Sequence, residues 1–412
     1  MTRRPMIGVG AVAVAVTVTI ALVFAMASPS VPLTGRTSDA SPDPSGGGDQ
    51  PAASVSGQPT ARLIPKHELF GFVPYWEMNG DIAKHLEGTP LTTLALFSVT
   101  NTKAGKINTS GLGYRRITGA IGKQLIREAH DRGVAVQLVF SSFGSARNAR
   151  FLGSTDVQDA TITSLVALAA RTHVDGIDVD IEGIGVELLP PYAAFVGRLR
   201  EALRAEIPDA QVSVATGAGP IGAPMAAAAA AAGADRIFMM AYDYHYGASD
   251  VGASAPMDRR DGNERDLVWS LDLYASLGVP VDRTILGLPL YGMRWRVAGP
   301  EIGAPKLGNG AIWVPADNPK FLADPPLPPQ LDPIEIVEFY AVPPTVDPVP
   351  GDSRATAGWQ AIYVDSPRTL EPKLALADDR GLAGAGFWAI GYERGMPEYA
   401  NLMARFADGE IQ

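Results

Sequence analysis

At 412 residues the chain is long enough for one large domain with additions. Its formal charge of −10, from 34 Lys and Arg against 44 Asp and Glu, argues against nucleic acid or an anionic surface as partner. There is no cysteine, which removes disulfides, thiolate metal sites, Cys nucleophiles and Cys-linked lipid anchors.

In chain order, Arg3 and Arg4 precede an uncharged apolar run over residues 6–27. That run is long enough to span a bilayer. Its basic flank predicts a cytoplasmic N-terminus with the rest of the chain outside. Residues 1–28 are read as a single-pass anchor. Ala25-Met26-Ala27 offers a cleavage site, which would make the same segment a signal peptide and the chain secreted. Residues 29–65, rich in Ser, Pro and Gly, are read as a flexible linker, since they cannot bury enough apolar area to offset ordering.

Residues 66–412 alternate strand and helix signals. Strands are expected at 69–75, 93–99, 134–140, 176–182, 211–216, 236–242, 284–290 and 384–390. Alternation implies a parallel sheet, and eight units is the number that closes a (β/α)8 TIM barrel. Helices are expected from a Thr118 cap to about Gly133, from Pro224 to Gly233, over 263–276 and over 366–380. The helix after the first strand is poorly marked. A small insertion is expected between strands seven and eight, at about 296–363. This stretch is proline-rich and too long for a structureless loop, and it contains strand-like runs at 334–340 and 359–364.

The most informative stretch is Val174 to Gly183, V-D-G-I-D-V-D-I-E-G. On a strand, Ile177, Val179 and Ile181 take one face. Asp178, Asp180 and Glu182 take the other, with neighbours roughly 6–7 Å apart. Burying three carboxylates in a row is costly. The row could be a solvated strand face or an oxygen site for a hard cation. The preferred reading is acid–base chemistry, in which interacting carboxyls raise one another's pKa until one can donate a proton near neutrality. Glu182 ends the row nearest the open face and is the natural acid. The five histidines, His67, His85, His130, His173 and His245, fit no zinc spacing. His245 could touch substrate, but a structural or rim histidine is the preferred reading. Phosphate-loop and dinucleotide fingerprints are absent, so neither a metal nor a cofactor is expected.

Asp175-Gly176-Ile177-Asp178-Val179-Asp180-Ile181-Glu182 resembles the D-G-x-D-x-D-x-E signature of glycoside hydrolase family 18, the chitinase-like enzymes. Other stretches follow the same family in order. Phe70-Gly71-Phe72-Val73-Pro74-Tyr75-Trp76 is similar to its aromatic first strand, Met240-Ala241-Tyr242-Asp243 to its M-x-Y-D, and Gly287-Leu288-Pro289-Leu290-Tyr291-Gly292 to its G-x-P-x-Y-G. Phe387-Trp388-Ala389 falls where the family places a Trp under the sugar. One motif departs: the S-x-G-G of strand three reads Ser141-Ser142-Phe143-Gly144, with Phe for the first Gly. Together the match spans about residues 69–406, and the family's insertion also falls after strand seven.

The resemblance implies a retaining, substrate-assisted hydrolysis of β-1,4-linked N-acetylglucosamine glycans, whether chitin, chito-oligosaccharides or peptidoglycan, in which the 2-acetamido group acts as nucleophile. Glu182 would be the acid/base. Asp180 would orient the acetamido group with Asp178 behind it, and Tyr242 would donate a hydrogen bond to it. Trp388 would floor the sugar, with Tyr291, Asp243, Met240 and Trp76 completing the substrate-binding set. Asp175 would brace its loop. The expected partner is an N-acetylglucosamine-containing polysaccharide met outside the cytoplasm by a monomer that touches membrane only through its N-terminal segment. The alternative is a carbohydrate-binding, lectin-like protein on the same fold.

Overall fold

The computed structural model describes residues 65–344 and 358–411; the expected anchor and all but the last residue of the linker lie outside the described residues. Eight parallel strands close a barrel. They are β1 (Glu68–Pro74), β2 (Thr93–Val99), β3 (Ala135–Phe143), β4 (Gly176–Glu182), β5 (Gln211–Gly217), β6 (Arg236–Met240), β7 (Thr284–Pro289) and, after an insertion, β13 (Gly384–Trp388). The strand order is β1-β13-β7-β6-β5-β4-β3-β2, and β2 pairs back onto β1. Helices α1 (Gly80–Glu87), α2 (Leu112–Thr118), α3 (Ala120–Asp131), α4 (Ser145–Leu152), α5 (Thr155–Thr172), α6 (Leu189–Glu206), α7 (Gly222–Ala231) and α8 (Leu267–Ser276) connect successive strands. α10 (Pro367–Asp379) precedes β13 and α11 (Pro397–Ala407) follows it. This is the (β/α)8 architecture expected from the alternating pattern.

Strand alternation builds two cores. Outward residues such as Ile177, Val179 and Ile181 of β4 pack with Leu165, Phe195 and Leu199 of the surrounding helices. Inward, Phe70, Phe72, Ala95, Phe97, Val139, Ala215, Phe238 and Ile285 fill the lumen. Phe238 needs two glycines beside it. A Cβ at Gly287 or Gly386 would stand 2.4 or 2.5 Å from its ring, so those positions cannot carry a side chain.

Several boundaries differ from expectation. Thr118 does not cap a long helix: its hydroxyl donates to Tyr114 O at 2.8 Å and ends α2, and the extended backbone of Gly119 separates α2 from α3. β6 stops at Met240, because the Ala241 N–H turns to Met239 O and Gly287 O and Asp243 adopts a left-handed φ of 62°. Tyr242 and Asp243 therefore sit past the strand end, at the barrel mouth. β3 runs on to Phe143, and Gly144, at φ 95°, makes the turn into α4. The poorly marked first helix is fixed by Asn79, whose side chain accepts from the N–H groups of Asp81 and Ile82.

Between β7 and β13 the chain forms a five-stranded sheet of β8 (Gly292–Val297), β9 (Ala311–Trp313), β10 (Gln330–Asp332), β11 (Val337–Val342) and β12 (Trp359–Val364), with the short helix α9 (Pro319–Ala323). Its order is β10-β11-β12-β8-β9. The excursion starts at Gly292, four residues before the expected boundary, where a Cβ would meet Tyr363 O of β12 at 2.3 Å. One face buries Met293, Trp295, Phe339 and Tyr363, against which Tyr242, Trp388 and Tyr392 pack from the barrel side. The sheet thus stands beside the mouth.

Candidate active site

β4 delivers the acid row to the lumen. Asp178 and Asp180 are buried and Glu182, at the strand's C-terminal end, is partly exposed. Ser213 on β5, directly opposite Asp178 in register, donates to Asp178 Oδ1 at 2.7 Å and stands 2.5 Å from Gln137 Oε1 of β3. One hydroxyl proton serves one acceptor at a time, so a proton on Asp178 would complete this chain. Asp178 Oδ2 and Asp180 Oδ1 are buried without a hydrogen-bond partner among the described residues.

The electrostatics follow from burial. Asp178 is pushed up to about 7 by burial, with the Ser213 bond opposing. Burial first, then the charges of Glu182 and Asp178, hold Asp180 well above the usual carboxylate range. Glu182 is pushed up to about 7 by burial and then by Asp243. The causes that raise the three are burial and neighbouring carboxylates. The row therefore holds shared protons at neutral pH.

Two glycine turns and one amide fix the end of β4. Gly183 leaves the strand at φ 80°. Asn148 of α4, fully buried, donates to Glu182 O at 2.5 Å and Ser142 O at 3.1 Å and accepts from the Ser142 hydroxyl at 2.6 Å. The Gly144 N–H also donates to Glu182 O, at 3.1 Å.

From β6 and β7 come Tyr242, Asp243 and Tyr291. The Tyr291 hydroxyl donates to Asp243 Oδ1 at 2.5 Å, and Ser254 Oγ accepts from the Asp243 N–H at 3.0 Å. Burial raises Asp243, with Tyr291 and Ser254 opposing, although its surface stays open to solvent. Tyr242 meets Tyr291 edge-on at 6.2 Å, and after burial the charge acting most on its hydroxyl is Asp180. Trp388 ends β13 with Phe97 edge-on at 4.8 Å and Trp76 at 6.3 Å. Met240 packs in the lumen cluster that Tyr242 and Trp388 also join. Trp76 is 38% exposed and donates its indole N–H to the Tyr392 hydroxyl at 3.2 Å.

The structure brings Asp178, Asp180, Glu182, Tyr242, Asp243, Met240 and Trp388 around one mouth, with Trp76 on its rim. Tyr291 is the exception in kind: it is buried and its hydroxyl is committed to Asp243, so it positions that carboxylate. Asp175 lies outside the cluster and accepts from the Val136 N–H at 2.7 Å, with His130 Nε2 at 2.8 Å. His245 is fully buried, its Nδ1 2.9 Å from Asp250 O. Gln137, Ser213, Ser254 and Asn148 were not foreseen. The signal for Gln137 and Ser213 is a polar residue at an inward position of an otherwise apolar strand. Asn148, on a helix, gives no such signal.

A family model for glycosyl hydrolases family 18 matches residues 71–393. The chain belongs to this family. Among similar proteins, chitotriosidase-1 of Mus musculus is 24% identical over 191 residues, 41% of each chain. The chain thus spans about two fifths of that relative's length. The structure of a family 18 chitinase from Cycas revoluta in complex with (GlcNAc)3 superposes with a TM-score of 0.69 at 17% identity, covering 82% of this chain and 99% of that one. The Bacillus cereus spore cortex-lytic enzyme SleL superposes with a TM-score of 0.65 at 16% identity, over 84% of this chain and 75% of that one. These structures share the fold of the family 18 domain.

Within the family 18 domain, Ser213→Ala removes the hydroxyl between Asp178 and Gln137. A buried polar group left without its partner costs about 1–3 kcal/mol, so the urea midpoint should fall accordingly. The loss should grow with pH. Asp178 is raised in the folded protein, so its protonated form carries stability that is present below the unfolded carboxylate range and is lost as pH rises through about 7. Removing the donor to its charged form raises it further. Urea melts at pH 5 and pH 8 would show it; equal loss at both would refute the assignment.

Proposed function

We propose that this protein is an extracytoplasmic glycoside hydrolase that cleaves β-1,4-linked, N-acetylglucosamine-containing glycans with retention of configuration. The carrying observation is the acid row: three carboxyls on one lumen face, raised by burial and by neighbouring carboxylates, ending at the partly exposed Glu182. The apolar run at 6–27 supports a site of action outside the cytoplasm, and the (GlcNAc)3 bound by the Cycas chitinase supports the sugar class.

Glu182 gives its proton to the glycosidic oxygen as the bond from that oxygen to the anomeric carbon breaks. The substrate's acetamido oxygen attacks that carbon and closes an oxazolinium ring. Its positive charge favours the ionised form of Asp180, while the proton of the pair stays on Asp178, beside Ser213. Tyr242 supplies a hydrogen bond to the acetamido group, and Asp243, set by Tyr291, meets the sugar's hydroxyls. Water then opens the ring as Glu182 takes a proton back. Asp178 is held by Ser213 and Asp243 by Tyr291, and Asp180 is assigned to the acetamido group, so the attack is left to the substrate.

Anomer-resolved NMR of early product from N-acetylglucosamine tetramer tests this. The β-anomer should appear first, and the oligomer lacking N-acetyl groups should not be cleaved. An α-anomer first, or equal turnover of the deacetylated oligomer, would reject the mechanism. Tight binding without turnover would make the protein a lectin.

A further inference from the structure

Phe143 is the residue at which this chain departs from its family's pattern, and it is unusually placed. It is 40% exposed at the end of β3, and its Cα is paired in register with Glu182. Neighbouring strands are ~4.8 Å apart, so the ring stands one strand from the acid. Isolated exposed apolar residues are ordinary, but this one belongs to an aromatic series. Its ring lies 20° from parallel with the buried Phe97 at 6.4 Å, and Phe97 meets Trp388 edge-on. Nor is the phenyl group needed for the turn, which Gly144 makes with its left-handed backbone.

The strand order gives this ring a direction. β5 and then β6 lie on one side of β4, and β3 lies on the other. Tyr242 and Asp243, which would hold the sugar that is attacked, follow β6. Glu182 faces the bridging oxygen. The sugar beyond that oxygen is therefore directed toward β3. We propose that Phe143 is a platform for the sugar ring on the leaving-group side of the cleaved bond, and so favours glycans that continue past the point of cleavage. A flat apolar ring backed by a second ring suits the C–H face of a pyranose.

This inference rests on the proposed hydrolysis, and its test separates the two. Wild type, Phe143→Ala and Phe143→Tyr are compared on N-acetylglucosamine tetramer and on chitobiosyl fluoride, whose leaving group places nothing over β3. Calorimetry of tetramer binding in a Glu182→Gln background gives a second, turnover-free readout. Phe143→Ala should lower the tetramer-to-fluoride ratio of kcat/KM about tenfold and weaken tetramer binding, and Phe143→Tyr should restore both. An unchanged ratio, or unchanged affinity in the Glu182→Gln background, would overturn the platform. If neither substrate is turned over, the hydrolase reading falls while calorimetry still decides on Phe143. Because the side chain is half in solvent, the alanine protein should melt like wild type.

Discussion

Glu182→Gln should cut turnover of N-acetylglucosamine oligomers by about 10²–10⁴-fold, the usual worth of a positioned general acid, with affinity largely kept. The amide has the shape of the acid and keeps the backbone bonds from Asn148 and Gly144, so the mouth should not change form. It has no proton to give. An unactivated sugar is a poor leaving group, so the loss should sit at the high end for natural glycans and shrink for a fluoride. The pH profile supplies a separate check. Glu182 is raised to about 7, so the acid is loaded below that value and wild-type activity should fall as pH rises through it. The residual activity of the variant should lack that limb. A Glu182→Gln protein as fast as wild type would remove Glu182 from the mechanism.

Asp180→Asn should cost about 10²–10³-fold in kcat, the scale for deleting one preorganised electrostatic group in a water-poor site. Asp180 lies between Asp178 and Glu182 with Tyr242 close enough to feel its charge. An amide keeps the volume but supplies no negative charge as the sugar becomes cationic. The charge of Glu182 acts on Asp180, so the two carboxyls are coupled and the two losses should not add: the double variant with Glu182→Gln should be far less impaired than the product of the singles. Rates for all four proteins on N-acetylglucosamine tetramer measure this. Simple multiplication would show that the two carboxyls act separately.

The barrel was legible in the sequence because its strands are short apolar runs separated by helix signals, and strand alternation is a local property. β4 matches its expected span residue for residue, and its acids were readable because nothing apolar explains them. What was not legible depends on partners far along the chain. Nothing around Asn148 announces that its amide will reach the carbonyl of Glu182, because α4 must first be laid against the end of β4. Tyr291 resembled a cleft residue by motif, yet the fold of the β6–α8 loop turns its hydroxyl onto Asp243. Thr118 looked like a cap, but in a chain where Gly119 follows, the break falls one residue later and the threonine closes the preceding turn.

The seam of the barrel sets the order in which this protein can be completed. β1 pairs with β13 through Glu68 and Gly384 to Gly71 and Phe387, so the first strand waits for the last one described. Until Gly386 arrives, Phe238 has one glycine wall and an open side. A growing chain that has reached β7 thus carries two unpaired edges, β1 and β7, held apart while the whole inserted sheet is synthesised. Such edges invite pairing with other chains, and contacts so distant in sequence form slowly. The hazard of this architecture lies in that interval of synthesis, when the acid-bearing strand is already made and the sheet around it cannot yet close.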